Sequence, residues 1–272
     1  MILRKSLITL LLGVVVVACS TNPFTGKQTL ALVPNSQILP MAFQQYDQFL
    51  SENKVVKGTS DANMVKSVGQ KMAAAAERYL NANGYAGYLT DYRWEYNLIE
   101  SKDVNAWCMP GGKIVVYTGI LPVTKTEAGL AAVMGHEVAH ALANHGQQRM
   151  SAAQLQQLGA VAGNVALANN PENQQIFNTA YGLGSNLGVM LPFSRSHETE
   201  ADHIGLILMA IAGYEPMAAA QLWERMQVQS QGAPPEFLST HPASTTRIQN
   251  IKGWAASAKA EARKFGVTTF KN

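Results

Sequence analysis

Residues 135–140 read Gly-His-Glu-Val-Ala-His, inside a stretch from Thr126 to about Asn144 that carries a helical pattern. Side chains four apart on a helix differ by about 40° around its axis, so His136 and His140 present their imidazoles on one face, within reach of one ion. Glu137 stands about 100° round from His136, beside such an ion rather than on it, which suits a carboxylate that moves protons. Neutral imidazoles and a tetrahedral preference make zinc the expected metal, one ion per chain. This pattern constrains the whole fold, because a catalytic zinc needs a third protein ligand brought to the histidine face from elsewhere and an open position for water.

The remaining histidines are poor third ligands. His145 would stand roughly 180° from His136 if the helix continued, and His203 projects on the side of its helix away from Glu198. A metzincin would need a histidine six residues after His140 and a glycine three after it, where this chain has Gly146 and Ala143. The segment from Ser194 to Gly205 opens a strongly apolar helix on which Glu198 and Asp202, at i and i+4, share one arc with Gly205, Met209 and Ala212. A carboxylate on a buried arc must be paired or metal-bound. Glu198 is the expected third ligand and Asp202 its companion, accepting a hydrogen bond from a ligand histidine. The competing expectation is an inward salt bridge to an arginine such as Arg195.

Around these residues the chain reads as one mainly helical α+β domain. Its 272 residues are 47% hydrophobic and 14% charged, enough to bury a core and too little charge for a disordered chain. The formal charge of +3 includes Arg4 and Lys5, which belong to a removable leader, so no nucleic-acid partner is expected. Those two residues precede an apolar run from Ser6 to Ala18, too short for a comfortable membrane span. Val16, Val17 and Ala18 before Cys19 resemble a bacterial lipobox. The expected organisation is a lipoprotein signal over residues 1–18, a lipid-anchored tether over 19–35 beginning at acylated Cys19, and a domain over 36–268. Ser20 after the cysteine points to the periplasmic face of an outer membrane. Cys108 is then left without a disulfide partner and is expected to pack as a small hydrophobe.

Helical patterns run from about Ser36 to Glu52, Asp61 to Asn81, Glu198 to Ala212, Pro216 to Gln231 and Ser244 to Lys264. Two Ala/Gln/Gly-rich stretches between Gly146 and Met190 are broken by polar residues before reaching membrane-spanning length. Arg93–Glu100 and Lys113–Ile120 are β-like, and Pro110, Gly111 and Gly112 between them have the composition of a hairpin turn.

HExxH followed by Glu198-Thr199-Glu200-Ala201-Asp202 resembles metallopeptidase family forty-eight, the HtpX-like and CAAX prenyl protease type, and most closely its periplasmic bacterial lipoprotein members. The likeness runs from about Val33 to Ile251 and includes Asn105-Ala106, the Pro110-Gly111-Gly112 turn, and His-Pro-Ala-Ser-Thr-Thr-Arg-Ile from His241 to Ile248. It implies a zincin-like, gluzincin fold with zinc on His136, His140 and Glu198, and an endopeptidase acting on misfolded or misassembled envelope proteins. His241, in the family's His-Pro pattern, is expected to hydrogen-bond the oxyanion or to occupy the open zinc position as a reversible fourth ligand; capping of the following helix is the plain alternative.

The expected reaction is hydrolysis of an internal peptide bond, with Glu137 as base and then acid, and His241 or Arg247 helping to hold the oxyanion. Substrate is expected to lie extended along Asn105 to Cys108 as an added strand, with Asn105 fixing a substrate carbonyl or making a turn contact, and Ala106 beside it. The competing function is a lipid-tethered, chaperone-like binding protein whose zinc is latent or structural.

Overall fold

The computed structural model describes residues 19–185, 191–229 and 235–272, so the expected leader over residues 1–18 lies outside the described residues. In chain order the first elements are β1 (Cys19–Thr21), β2 (Gln28–Leu30), α1 (Asn35–Glu52), β3 (Val55–Val56), α2 (Ser60–Ala82), β4 (Glu95–Ile99), β5 (Ala106–Met109) and β6 (Lys113–Tyr117). Helices follow: α3 (Leu121–Thr124), α4 (Glu127–Leu142), α5 (His145–Ala166), α6 (Pro171–Ser185), α7 (Leu191–Ile211), α8 (Met217–Gln229), α9 (Glu236–Thr240) and α10 (Thr245–Lys264). Two compact units divide the chain, one of residues 19–38 and 144–197, the other of residues 39–143 and 198–272.

In the first unit, the segment expected to be a plain tether holds an antiparallel ladder in which Cys19 faces Leu30. The reason is local. Asn22 accepts the Phe24 amide on its side chain at 2.9 Å and the Gly26 amide on its carbonyl at 2.8 Å, and Gly26 takes the left-handed φ of 68° that closes the turn. Cys19 itself is exposed. Two of the asparagines that interrupt the later apolar stretch bind each other: Asn164 and Asn178 exchange amide hydrogen bonds of 2.8 and 3.0 Å between α5 and α6. Among the described residues, no helix is long and apolar enough to cross a membrane.

The second unit is built on a four-stranded sheet of order β3-β4-β6-β5. The two β-like runs of the sequence become parallel neighbours, Glu95 opposite Lys113 through Ile99 opposite Tyr117, and β5, not foreseen as a strand by periodicity, returns antiparallel along the other side of β6. Pro110 and Gly111 form the corners of a type II turn, with the Gly112 amide donating to the Met109 carbonyl at 3.2 Å and Gly111 at φ 85°.

On one face of the sheet, Tyr46 of α1 packs with Ile99 and Val115, and its hydroxyl donates to the Ile114 carbonyl at 3.2 Å. On the other face α2 comes so close that a Cβ on Gly69 would lie 2.1 Å from the Tyr96 ring. Helix α4 is buried from Ala128 to Leu142, which is why its sequence is apolar nearly all round apart from the motif itself. Thr126 caps its start by accepting the Gly129 amide, and Asn144, at φ 56°, ends the turn that follows it. That break means His145 begins a new helix rather than continuing round α4.

Candidate metal centre

Helices α4 and α7 meet at two glycines. A Cβ on Gly135 would lie 3.0 Å from the Gly205 carbonyl oxygen, and one on Gly205 would lie 2.9 Å from the amide nitrogen of His136. This backbone-to-backbone approach brings Asp202 and Glu198, one and two turns before Gly205, against the histidine face of α4. His136 and His140 are buried, and their Nε2 atoms stand 3.1 Å apart. Glu198 reaches both, with Oε2 at 3.3 Å from His136 Nε2 and Oε1 at 3.2 Å from His140 Nε2.

The fourth member is His241, at the C-terminal end of α9. Its Nδ1 lies 2.8 Å from Glu198 Oε2 and 3.1 Å from His136 Nε2. One ligand atom from each of His136, His140, Glu198 and His241 falls within 4.8 Å of the others. Glu137 Oε1 is buried without a hydrogen bond and lies 3.5 Å from His241 Nε2. Three imidazoles and a carboxylate converging on one point, with an unsatisfied carboxyl oxygen beside them, are the donor set that zinc takes.

The residue pattern of peptidase family M48 matches residues 60–255, well over half of the chain. The chain belongs to peptidase family M48. It is 41% identical over 175 residues to the mitochondrial metalloendopeptidase OMA1 of Schizosaccharomyces pombe, covering 64% of this chain and 50% of that protein. It is 34% identical over 203 residues to the OMA1 of Saccharomyces cerevisiae, covering 71% and 56%. The Beta-barrel assembly-enhancing protease of Escherichia coli is 28% identical over 168 residues, 60% of this chain and 34% of that one. This M48 peptidase therefore spans about half the length of the two fungal relatives.

Those relatives correct one expectation. The leader and Cys19 point to the periplasmic face of a bacterial outer membrane, whereas the two fungal relatives are mitochondrial. Basic residues ahead of a short apolar run are common to several targeting segments, so that pattern does not fix an address.

The M48 peptidase uses zinc, and His136, His140 and Glu198 are the residues that would hold it. Asp202 accepts from His136 Nδ1 at 2.9 Å, which leaves Nε2 free as a ligand atom. The salt bridge weighed as the alternative for this acidic pair is present, but with Arg247 in place of Arg195: Nε and Nη2 each lie 2.7 Å from one oxygen of Asp202. The same guanidinium stacks on Trp223, 3.4 Å from the ring centre, and is buried. Arg247, expected to meet substrate or the oxyanion, has Nε and Nη2 on Asp202, Nη1 3.3 Å from Glu198 Oε2 and its face on Trp223.

For the protein groups alone, burial and Arg247 oppose a charged His136, yet the bonds from Asp202 and Glu198 outweigh both and raise it to about 9. Burial works against ionised Glu198 and Asp202 as well, but His136, His140 and His241 around Glu198, and Arg247 with His136 around Asp202, hold both carboxyls below their usual range.

The plain alternative for His241, capping the helix after it, is filled by Ser244, whose hydroxyl accepts the Arg247 amide at 3.1 Å. Asn105 Oδ1 accepts the Ala106 amide at 2.8 Å, the local contact weighed for it, so any role toward substrate falls to its side-chain NH2 group. Ala106 is buried in the edge strand β5. Burial pushes the Cys108 thiol well up, in keeping with a packing role. Sequence reasoning missed Trp223, because an aromatic in an apolar helix carries no sign of what it will stack on.

Proposed function

We propose that this M48 peptidase is an endopeptidase that cuts extended segments of unfolded or misassembled proteins. The observation that carries the reading is the buried set of His136, His140 and Glu198 with the Glu137 carboxyl beside it, in a unit whose edge strand β5 has an open side. The bond from the Tyr117 amide to the Asn105 carbonyl fixes the register of β5 on β6, so the backbone groups of Ala106 and Cys108 turn away from β6, the Ala106 amide to Asn105 Oδ1 and the Ala106 carbonyl and both groups of Cys108 toward the edge. A chain bound there would be recognised by its backbone more than by its side chains, which suits unfolded segments. The likeness to a protease named for assembly of β-barrels agrees with a role in protein quality control.

Zinc, when bound, supplies Lewis acidity toward water and the scissile carbonyl. Glu137 takes the proton of the attacking water and passes it to the leaving amine nitrogen, a transfer for which its buried Oε1 has no competing hydrogen bond. Asp202 and Arg247 keep His136 in one tautomer and one orientation. His241, seated among the donors, would be a fourth residue able to hold the ion, and its withdrawal would open that position to substrate.

The test is cleavage of a reduced, denatured globular protein by the zinc-loaded chain and by Glu137→Gln at equal metal content. Fragments from the parent alone support the reading. Zinc-bound parent and His241→Ala proteins that both leave the substrate whole would favour the binding-protein alternative.

A further inference from the structure

The second unit has another cleft, of about 410 Å³, on the opposite edge of the sheet from β5. It exists because β3 is cut short. Only Val55 and Val56 pair with β4, opposite Ile99 and Leu98, before Gly58 at φ 73° turns the chain toward the Thr59 cap of α2. β4 runs on, paired with β6 as far as Glu95.

The amides of Arg93 and Glu95 donate to the Gly111 and Gly112 carbonyls, so alternate residues Trp94 and Tyr96 point their backbone groups away from β6 and into the cleft. Among the described residues those groups have no backbone partner. A sheet edge of this kind is a template for another strand.

The facing wall is the polar side of α2, where Asn63, Lys66 and Gln70 recur at i, i+3 and i+7, all exposed. Lys57, directly after β3, also lines the cleft. Neither Lys57 nor Lys66 makes an ion pair among the described residues, while Glu95, the acidic residue of the lining, is spent on Lys113 at 2.9 Å. In the first turn of α2 the Ala62 amide is held by the Thr59 hydroxyl and the Asn63 amide by the Thr59 carbonyl. An extended chain finds here a backbone edge along its length and two cations for its side chains.

We infer that this cleft binds an extended acidic segment of the substrate chain, added to β4 in line with β3 and antiparallel to β4. The naming of the occupant as substrate rests on the endopeptidase reading; the binding site itself does not. A second grip apart from the metal centre raises the effective concentration of a long substrate, so it acts on long unfolded chains and leaves short peptides unaffected.

The test uses the full zinc-loaded chain carrying Glu137→Gln, so that binding is read without turnover. The probe is a fluorescent peptide of alternating glutamate and threonine. It is expected to bind saturably, to bind roughly tenfold more weakly to the Lys57→Glu/Lys66→Glu double variant, and to lose binding when alternate backbone amides are N-methylated. In the active enzyme, the double variant is expected to raise KM for an acidic unfolded protein by a similar factor and to leave kcat and KM for a short neutral peptide as they were.

Absence of binding, equal binding by the double variant, or equal binding of the methylated peptide would each overturn the inference, the last by reducing it to surface electrostatics. Thermal unfolding shows whether the double variant is folded; if it is not, Lys57→Gln/Lys66→Gln takes its place with the same expectations. Loss of all cleavage by the parent would strike the endopeptidase reading and leave the binding result standing.

Discussion

Gly135 and Gly205 let two helices touch through their backbones: a Cβ on Gly205 would stand 2.8 Å from the carbonyl carbon of Gly135. A backbone atom cannot swing aside as a side chain does, so Gly205→Ala must push α7 away from α4. The expected cost is about 1–3 kcal/mol of stability. Zinc affinity should fall with it, because Glu198 rides on the displaced helix. Gly253→Ala in α10, where the new Cβ meets nothing within 4 Å, is the matched control and should gain about 0.5–1 kcal/mol. Thermal unfolding and zinc titration of the two variants check both statements.

Asp202→Asn removes the charge that Arg247 grips at 2.7 Å from two donors. The guanidinium is left buried with its main counterion gone, at an expected cost of about 3–5 kcal/mol, and zinc affinity should fall by roughly 10–100-fold. Asp202→Glu, which keeps the charge, should lose less of both. Denaturant unfolding of the zinc-free proteins separates the stability term from the metal term.

Removal of zinc should make stability depend on pH through His136. With its folded value raised from 6.5 to about 9, the protonated imidazole adds stability that is complete below about pH 6.5 and is lost as the pH rises through about 9. Zinc requires the neutral ring and must expel that proton, so apparent affinity should strengthen by up to about tenfold per pH unit up to about 9. A competition titration with a chelator at several pH values measures the slope; a flat profile would contradict it.

His241→Ala should weaken zinc binding and, at saturating zinc, raise the rate of peptide cleavage, because the position it shares with Glu198 and His136 opens to water. A lower rate at saturating zinc would assign His241 to the oxyanion instead. Single-turnover cleavage at matched zinc content distinguishes the two.

Much of the centre was legible in the chain. His136 and His140 on one helical face, Glu137 beside them, and Glu198 with Asp202 on a buried arc all follow from the period of a single helix, since neighbours along a helix are set by its backbone. The long helices of the second unit lie within a few residues of their expected spans, except that α7 begins at Leu191, before the expected Glu198, because its first turns have no apolar period to announce them; the short helices α3 and α9, too brief to show a period, were not expected.

Placement across the fold was not legible. Periodicity marks which side of an element is buried but says nothing of what will be buried against it, and this explains each departure. Arg247 reads as a helper for substrate or the oxyanion, and packing gave it Asp202 and Trp223 as partners. Arg93–Glu100 and Lys113–Ile120 read as strands flanking a hairpin turn, and the sheet placed them side by side in parallel with β5 returned to the edge. The sequence alone determined the chemistry available, two histidines and a base at helical spacing on one helix and an acidic pair at helical spacing on another. Only the tertiary structure decided that Gly135 against Gly205 would bring the acid to the histidines, that His241 would join them from α9, and that β3 would stop short and leave β4 open, because contacts between distant segments depend on how whole surfaces fit.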